Sequence, residues 1–253
     1  MNGPSVRLPI IGSVRMTEAL RFTGKIQRAI VNRDADRWFI AISVEIRDPK
    51  QTRPQGKPIG VDFGLSAFAT LSTGQKIQAP KPLQRALRKL RRLGRWHSGK
   101  PLQSRNRAQA SRKLARQHRR IRNIRNEFLH KPSTDLAKTH SGIGIEDLRV
   151  KGMLQNRRLA LHLSDAAWSQ FGRPLKYKTA LYGSTLTVPD CWYASSKTCS
   201  ACGQKRASLE LSERCWSCEH CGTTHDRDVN AAINLKQIPR ATRKSTPVER
   251  PAQ

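Results

Sequence analysis

Acidic side chains are scarce in this sequence, and a few of them stand where a metal ion could be held. The chain has 18 Asp and Glu against 48 Lys and Arg. Asp62 and Glu146 each follow a three-residue apolar segment, and Asp226 and Asp228 stand at the start of the last predicted helix. Carboxylates that hold two Mg²⁺ ions let those ions activate water and stabilise the leaving oxygen of a phosphodiester. The pattern favours a metal-dependent nuclease.

Each of these acids also has an ordinary structural explanation. Asp62 could be a turn residue, and Asp228 could cap its helix near Asn230. It is the combination of Asp62, Glu146 and one of the two helix-start acids that predicts a site. Asp226 and Asp228 compete for the third position.

Two cysteine pairs predict a second metal centre. Cys199-Ser-Ala-Cys202 and Cys218-Glu-His-Cys221 are Cys-x2-Cys pairs separated by 15 residues. This spacing is typical of a structural Zn²⁺ ribbon, in which four thiolates complete the tetrahedron and leave no open position for chemistry. A pair of redox-active Cys-x-x-Cys motifs is the alternative.

The remaining cysteines and nearby histidines fit the zinc set less well. Cys215 could compete with Cys218, but only Cys218 has the two-residue gap to Cys221. Cys191 is left over, and His220 and His225 are predicted to be non-ligands.

The stretch between the first two acids is strongly basic. From Lys81 to Arg125, 17 of 45 residues are Lys or Arg, and no acid occurs between Asp62 and Glu127. Apolar residues at helical spacing predict two helices, separated by residues 94–101, that form a basic hairpin over residues 81–129. A solvated face usually mixes both charge signs, so this hairpin is predicted to bind phosphate. The predicted nucleic-acid contacts are Arg85, Arg88, Lys89, Arg92, Arg112, Lys113, Arg116, Arg119, Arg120 and, beside the acids, Arg227.

The composition of the whole chain agrees with a nucleic-acid partner. Its 253 residues carry a formal charge of +30, with 37% hydrophobic residues. A compact polycation repels itself unless a polyanion neutralises it. No apolar run is long enough to cross a membrane and no secretory signal is present, so the cysteines are expected in a reducing compartment. A simple packing protein, such as a ribosomal protein, is the alternative.

Hydrophobic periodicity predicts an α/β fold. Strands are expected before residue 50, at residues 59–61, 143–145 and 186–188, and in a hairpin over residues 65–79. Helices are expected over residues 156–171 and 228–236. The predicted domains are a segment of strands (1–50), a linker (51–58), a nuclease core (59–194), a zinc ribbon (195–224), a last nuclease helix (225–238) and a disordered tail (239–253).

At this point the sequence resembles a known family, the TnpB (OrfB) proteins of insertion sequences. The resemblance covers roughly residues 20–237, and its blocks occur in the family's order. The matching blocks are Ile59-Gly-Val-Asp-Phe-Gly64, Phe128-Leu-His-Lys131, Gly144-Ile-Glu-Asp-Leu148 with Lys151-Gly-Met153, Leu175-Lys-Tyr-Lys178, Ser195-Ser-Lys-Thr-Cys-Ser-Ala-Cys-Gly203 and His225-Asp-Arg-Asp-Val-Asn-Ala-Ala-Ile-Asn234. The last two are the most specific.

The resemblance implies a RuvC-like nuclease core, a variant of the RNase H fold. It also implies that residues 1–50 are a partial β-barrel that binds nucleic acid, the later part of an oligonucleotide-binding barrel. It implies Asp62, Glu146 and Asp228 as the catalytic acids that bind Mg²⁺, with Asp226 as the competing third acid. It also implies cleavage of target DNA matched by a guide RNA from the transposon end, in a prokaryotic cytoplasm near the nucleoid. Arg227 is expected to stabilise charge that develops on the phosphate.

The sequence departs from the family pattern in two places. Family members carry more chain before the first nuclease motif than the 58 residues present here, which implies an N-terminally truncated member. Pro132 is expected to interrupt the end of the basic helix. The alternative function is a catalytically inactive remnant that binds DNA or RNA. The sequence does not predict an oligomeric state.

Overall fold

A computed structural model describes residues 4–45, 53–210 and 212–238 of the chain. Predictions for the linker before residue 53 and for the tail beyond residue 238 fall largely outside these ranges. The chain divides into two compact units, Met1–Lys50 and Gln51–Gln253. Among the described helices, none is long and apolar enough to cross a membrane.

The first unit contains two antiparallel hairpins. Strand β1 (Ser5–Leu8) pairs with β2 (Gly12–Arg15), and β3 (Lys25–Asp34) pairs with β4 (Arg37–Glu45). Alternate residues of β4 are half-buried, in agreement with its alternating pattern. Within the described residues of this unit, each sheet has two strands, so the partial barrel remains a prediction.

The second unit is built around a mixed five-stranded sheet. Its strands are β5 (Ile59–Phe63), β6 (Ala69–Leu71), β7 (Lys76–Ile77), β8 (Gly142–Ile145) and β9 (Thr185–Thr187), in the order β7-β6-β5-β8-β9. Strands β5, β8 and β9 run parallel, whereas β5, β6 and β7 form an antiparallel meander. The carboxyl ends of the parallel strands therefore share one edge of the sheet, where Asp62 and Glu146 lie.

The basic segment forms two packed helices, α1 (Pro82–Ser98) and α2 (Arg105–Thr139). The Ser104 side chain caps α2 by accepting a hydrogen bond from the Arg107 amide at 3.1 Å. The loop predicted for residues 94–101 is shorter than expected, because α1 continues through Gly94 to Ser98. A glycine inside a helix lowers its stability by only about 1 kcal/mol, which the packing of α1 against α2 can offset.

The prediction that Pro132 interrupts the basic helix is wrong, since α2 continues through it to Thr139. Proline lacks an amide donor and disturbs the hydrogen bonds around it. Side chains bind the neighbouring carbonyls of this turn: the Lys178 ammonium donates to the His130 carbonyl at 2.8 Å, and the Ser133 hydroxyl donates to the Leu129 carbonyl at 2.7 Å. Burial lowers the pKa of Lys178.

The single helix predicted for residues 156–171 is also corrected. The structure has a short α3 (Val150–Met153), then α4 (Ala160–Ala166) and α5 (Trp168–Tyr182). Ala167 has a left-handed backbone (φ 55°) and ends α4. The apolar stripe conceals this break, because Leu163 and Phe171 on its two sides are both buried in one core.

The cysteine segment carries a two-stranded ribbon, β10 (Cys215–Ser217) and β11 (Thr224–Asp226), which leads directly into α6 (Arg227–Lys236). Helix α6 packs closely on β5 and β8. Gly60 and Gly144 are paired in register at this contact, and a Cβ on either would overlap a backbone carbonyl of α6, Ala232 or Leu235. Two glycines in neighbouring strands therefore allow the last helix to approach the sheet.

Candidate active site and cysteine centre

Asp62 and Glu146 meet at the carboxyl edge of the sheet. Asp62 ends β5 with only 8% of its surface exposed, and Glu146 follows β8 directly. Burial raises the pKa of Asp62 well above its usual value, as do a hydrogen bond with the Glu146 side chain and the charges of Glu146 and Asp228. The charge of Arg227 acts in the opposite direction. Such a group of like charges is suited to a cation that would replace the shared proton.

Asp228 reaches this site from the first turn of α6. Its Oδ1 lies 3.5 Å from Nε of Arg227 and 3.7 Å from Nη1 of Arg214. Its charge contributes to the raised pKa of Asp62. The structure thus places three acids that are far apart in the sequence near one another: Asp62 and Glu146 share a hydrogen bond, and Asp228 lies close enough for its charge to act on Asp62. Among the described residues, only the four cysteines have ligand atoms that all lie within 4.8 Å of one another, so the three carboxylates are more widely spaced than that.

Asp226 is instead the N-cap residue of α6. Its Oδ1 accepts hydrogen bonds from the amides of Asp228 and Val229 at 3.0 and 3.1 Å, and its Oδ2 lies 3.5 Å from Nζ of Lys76. Burial raises the pKa of Asp226, but the Val229 amide and the Lys76 charge outweigh burial and lower it overall. The helix cap considered for Asp228 is therefore provided by Asp226, and the Asp228 carboxylate instead contacts Arg227 and Arg214.

Arg227 is mostly buried between the acids and the cysteine segment. Its Nη1 donates to the carbonyl oxygens of Glu210 and Glu213 at 3.3 and 3.4 Å. These contacts hold the guanidinium beside Asp228. Its predicted role on a developing phosphate charge stays a prediction.

The four cysteines of the two Cys-x2-Cys pairs converge. Their sulfur atoms all lie within 4.8 Å of one another, and the Cys199–Cys221 and Cys202–Cys218 distances are both 3.7 Å. Zn–S bonds of about 2.3 Å in a tetrahedron place sulfurs about 3.8 Å apart, so the donor set fits a zinc ion. Cys191 and Cys215 lie outside this group.

Both cysteine pairs have the same backbone turn. Gly203 and Gly222 each follow a pair and have positive φ, 78° and 72°. Their amides donate to the carbonyls of Cys199 and Cys218, both at 2.8 Å. This left-handed conformation suits glycine, which explains why glycine follows each pair.

His225 lies directly against the cysteine group. Its Nε2 is 3.0 Å from the Cys199 sulfur, and its ring packs on Trp216 with centroids 4.9 Å apart. The histidine is buried. This contact is that of a hydrogen-bond partner of a sulfur, which sequence reasoning did not anticipate.

Two buried asparagines of α6 join the cysteine segment to the sheet, and sequence reasoning missed them. The side-chain amides of Asn230 and Asn234 donate to the Thr198 carbonyl at 2.8 and 2.6 Å. Asn230 Oδ1 also accepts from the Ser200 amide at 2.9 Å. Two asparagines four residues apart on the apolar face of a helix were the signal that could have identified this link.

Most of the predicted nucleic-acid contacts lie on the surface of the hairpin. Arg119 and Arg227 are half-buried. The other predicted residues are exposed, namely Arg85, Arg88, Lys89, Arg92, Arg112, Lys113, Arg116 and Arg120. Lys113 also lies over the Trp96 ring, with Nζ 4.8 Å from its centroid. The hairpin therefore presents a cationic surface.

Two protein families match successive parts of the chain. Residues 41–157 match the family described as "Probable transposase", and residues 168–235 match the "Cas12f1-like, TNB domain". The first match includes Asp62, Glu146 and the hairpin, and the second includes the four cysteines and α6.

Similar proteins carry consistent names. A "Putative RNA-guided DNA endonuclease" from Streptomyces pristinaespiralis is 45% identical over 81% of this chain and 51% of that protein. A protein of the same description from Escherichia coli, InsQ, is 32% identical over 90% of this chain and 60% of that protein. The "TnpB-like protein L79" of Acanthamoeba polyphaga mimivirus is 30% identical over 81% of the chain and 42% of that protein. The chain spans about half the length of these relatives.

The fold is shared with a solved structure. A chain in the cryo-EM structure of a CRISPR-Cas12f ternary complex superposes with a TM-score of 0.51 at 19% identity, over 80% of this chain and 42% of that chain. The fold and site define a mixed α/β protein with clustered acids and a four-cysteine centre. With the sequence matches, they show that the chain belongs to the TnpB family.

Proposed function

We propose that this chain is an RNA-guided DNA endonuclease associated with a transposon, with an RNase H-like (RuvC) core. The observation that carries the proposal is the hydrogen-bonded pair Asp62 and Glu146 at the carboxyl edge of the sheet, with Asp228 near enough for its charge to act on Asp62. The names of the relatives support a DNA endonuclease.

In this proposal Asp62, Glu146 and Asp228 hold Mg²⁺. Bound magnesium supplies activation of the attacking water and stabilisation of the leaving oxygen. Asp62 would hold the cation as a carboxylate, because a bound positive charge would offset the burial and the neighbouring charges of Glu146 and Asp228 that raise its pKa. Arg227 and Arg214 orient Asp228 through their contacts with its Oδ1.

The four cysteines hold a structural Zn²⁺ in the same proposal. The sulfur distances support this ion over a redox pair, since they agree with tetrahedral coordination. Asn230 and Asn234 then connect the zinc ribbon to α6, the helix that carries Asp228.

The proposed partners are target DNA and a guide RNA from the transposon end. The exposed cations of α1 and α2 support binding to a phosphate backbone. The hairpins of the first unit are proposed to belong to a nucleic-acid-binding barrel.

The deciding experiment is cleavage of matched target DNA by the purified chain with Mg²⁺ and its cognate RNA. Asp62→Ala and Asp228→Ala are each expected to lower the cleavage rate at least about 100-fold, because a lost metal ligand removes several kcal/mol of transition-state stabilisation. Asp226→Ala is the matched control. It removes a helix cap worth about 1 kcal/mol and should retain most cleavage.

Cleavage that survives Asp62→Ala would remove this mechanism. If Asp226→Ala loses cleavage and Asp228→Ala keeps it, then Asp226 is the third catalytic acid and Asp228 is not. If the wild-type chain binds RNA and DNA but yields no product, the alternative of a non-catalytic binding protein is correct.

A further inference from the structure

A tryptophan stands on the surface beyond the last strand of the sheet. Trp192 has 80% of its surface exposed, an unusual position for so large an apolar side chain. Its backbone is fixed, since the Asp190 side chain accepts a hydrogen bond from the Trp192 amide at 3.0 Å. The Tyr193 amide donates to the Asp190 carbonyl at 3.0 Å, which closes the turn. The ring is therefore presented from an ordered turn.

An arginine covers one side of this ring. The Arg149 guanidinium carbon lies 5.3 Å from the Trp192 ring centroid, within cation–π range. Its Nη2 also donates to the Cys191 sulfur at 3.1 Å, which holds the guanidinium in place. Because most of the ring is exposed, the face that Arg149 does not cover is open to solvent.

The pair lies at the edge of the sheet where the acids meet. Strands β8 and β9 are parallel neighbours, so the segments that follow them leave the sheet at the same edge. Glu146 follows β8, and Trp192 lies five residues beyond the end of β9. Arg149 is three residues after Glu146, at most about 11 Å along an extended chain. Arg149 thus contacts the tryptophan from a backbone position near Glu146.

We propose that Trp192, backed by Arg149, is a stacking platform for one unpaired base of the DNA strand that enters the acid site. This inference rests on the proposed function. It adds that the protein recognises an unpaired base of its DNA substrate through Trp192. An open aromatic face binds an unstacked base of any sequence, because every base has a flat face that can stack on a ring. Bases inside a duplex already stack on their neighbours, so the platform selects a single strand.

The arrangement favours nucleic acid over an apolar protein partner. A protein contact would need a wider apolar surface, whereas the ring is flanked by the exposed cation Arg149 and the exposed Asp190. The cation can contact the phosphate next to the stacked base. The net charge of +30 concentrates polyanions near the whole surface.

The test measures equilibrium binding of a fluorescent thymidine oligonucleotide of about 12 nucleotides, a typical single-strand site size. All variants are made in the full 253-residue chain that carries Asp62→Ala, so no substrate is cut. Trp192→Ala is expected to weaken binding about 5- to 100-fold. Trp192→Phe should recover most of the affinity and Trp192→Leu little, because stacking needs a ring.

A thermodynamic cycle separates stacking from a general loss of affinity. The oligonucleotide is prepared with a single abasic nucleotide moved along its length. For the tryptophan form, one abasic position should weaken binding by about the factor that Trp192→Ala produces, and the Trp192→Ala form should lose nothing further at that position. Tyr177→Ala removes another exposed aromatic, on α5, and should leave affinity and the abasic pattern unchanged.

Unchanged affinity in Trp192→Ala overturns the platform, and so does an abasic pattern that is the same with and without the tryptophan ring. Circular dichroism spectra that match the parent exclude misfolding. Failure of the endonuclease proposal appears separately, as absence of cleavage by the chain with intact Asp62. The binding measurement is independent of that result, because coupling between Trp192 and a base can be detected whether or not the chain cleaves DNA.

Discussion

At the scale of single residues, the main feature of the candidate acid site is Asp62, a buried carboxylate with two acidic neighbours, Glu146 and Asp228. Asp62 is buried and its pKa is raised, first by burial and then by Glu146 and Asp228. A group whose pKa is higher in the folded than in the unfolded chain binds more protons when folded. Its contribution to folding is therefore full below the unfolded pKa and is lost as the pH rises towards the folded pKa. At neutral pH and without a cation, Asp62 lowers the stability of the fold.

Asp62→Asn is accordingly expected to stabilise the metal-free protein at pH 7, by roughly 0.5–2 kcal/mol, as is common when a functional site is relieved of repulsion. The gain in stability of Asp62→Asn over the wild type should shrink as the pH falls. It should vanish near pH 4, close to the ordinary pKa of an aspartate, 3.8. Urea unfolding of both forms across this pH range measures the difference. Mg²⁺ should raise the stability of the wild type and leave that of Asp62→Asn nearly unchanged.

Asp165→Asn is the matched control for this prediction. Asp165 is also buried, but its carboxylate accepts hydrogen bonds from the Leu83 and Gln84 amides, both at 3.0 Å, and lies 3.7 Å from Arg125. Removing a buried charge that is satisfied in this way should lower stability. If both substitutions shift the free energy of unfolding in the same direction at pH 7, the crowding described for Asp62 is wrong.

At the scale of elements, α6 connects the two candidate metal centres. It lies on β5 and β8 at Gly60 and Gly144, carries Asp228 in its first turn, and is bonded through Asn230 and Asn234 to the backbone between the sheet and the cysteines. A change in the cysteine segment should therefore reach the acid cluster through this helix. This link is structural, since Asn230 and Asn234 act on the acid cluster only through the helix that carries Asp228.

Removal of the proposed zinc should abolish cleavage and leave the sheet folded. Cys199→Ser is expected to lower the bound zinc from one ion per chain to a small fraction and to reduce cleavage at least about 10-fold, because metal binding and local folding are coupled. Metal analysis and cleavage of the same preparation measure both effects. Cys215→Ser is the control: Cys215 is exposed and lies outside the four-sulfur group, so zinc content and cleavage should not change.

Full cleavage by a zinc-free preparation would show that the ribbon does not position α6. Loss of zinc in Cys215→Ser would show that Cys215 is a zinc ligand and that the predicted set of four cysteines is wrong.

At the scale of the whole molecule, the large positive charge is the main feature that bears on nucleic-acid binding. The formal charge is +30, and α1 and α2 expose many of the cations on two packed helices. Asp165 of α4 binds the start of α1 and lies beside Arg125 of α2, and it holds the hairpin to the core together with the packing of α2 on α5. Binding to a phosphate backbone releases counterions, which makes affinity steeply dependent on salt.

A variant that carries Arg88→Gln, Arg92→Gln and Arg112→Gln should bind duplex DNA less tightly and with a weaker salt dependence. If all three residues contact phosphates, the slope of log K against log salt should fall by about 2.7, at roughly 0.9 per contact. Titrations between low and moderate salt measure the slope. Lys131→Gln is the control on α2, because Glu127 already lies 2.7 Å from its ammonium and neutralises it. An unchanged slope in the triple variant would place the DNA elsewhere.

Much of the architecture could be predicted because it is locally encoded. The Cys-x2-Cys-Gly pairs require only a short turn, and all four of their sulfurs meet as expected. Apolar segments followed by acids predicted β5 and β8, and the family resemblance is confirmed. Helix ends were less predictable. Pro132 was expected to stop α2 but is supported by Lys178, which lies 46 residues later in the sequence.

The sequence by itself determined the order of the elements, the family, the cysteine pairs and the acids worth testing, since each depends on neighbouring residues. Only the tertiary structure decided that Asp226 caps α6 while the charge of Asp228 acts on Asp62, that two asparagines bind the cysteine segment to that helix, and that Arg149 covers Trp192. These contacts join segments that are distant along the chain or depend on the exact direction of a side chain. Packing fixes such directions, and hydrophobic periodicity alone does not encode them.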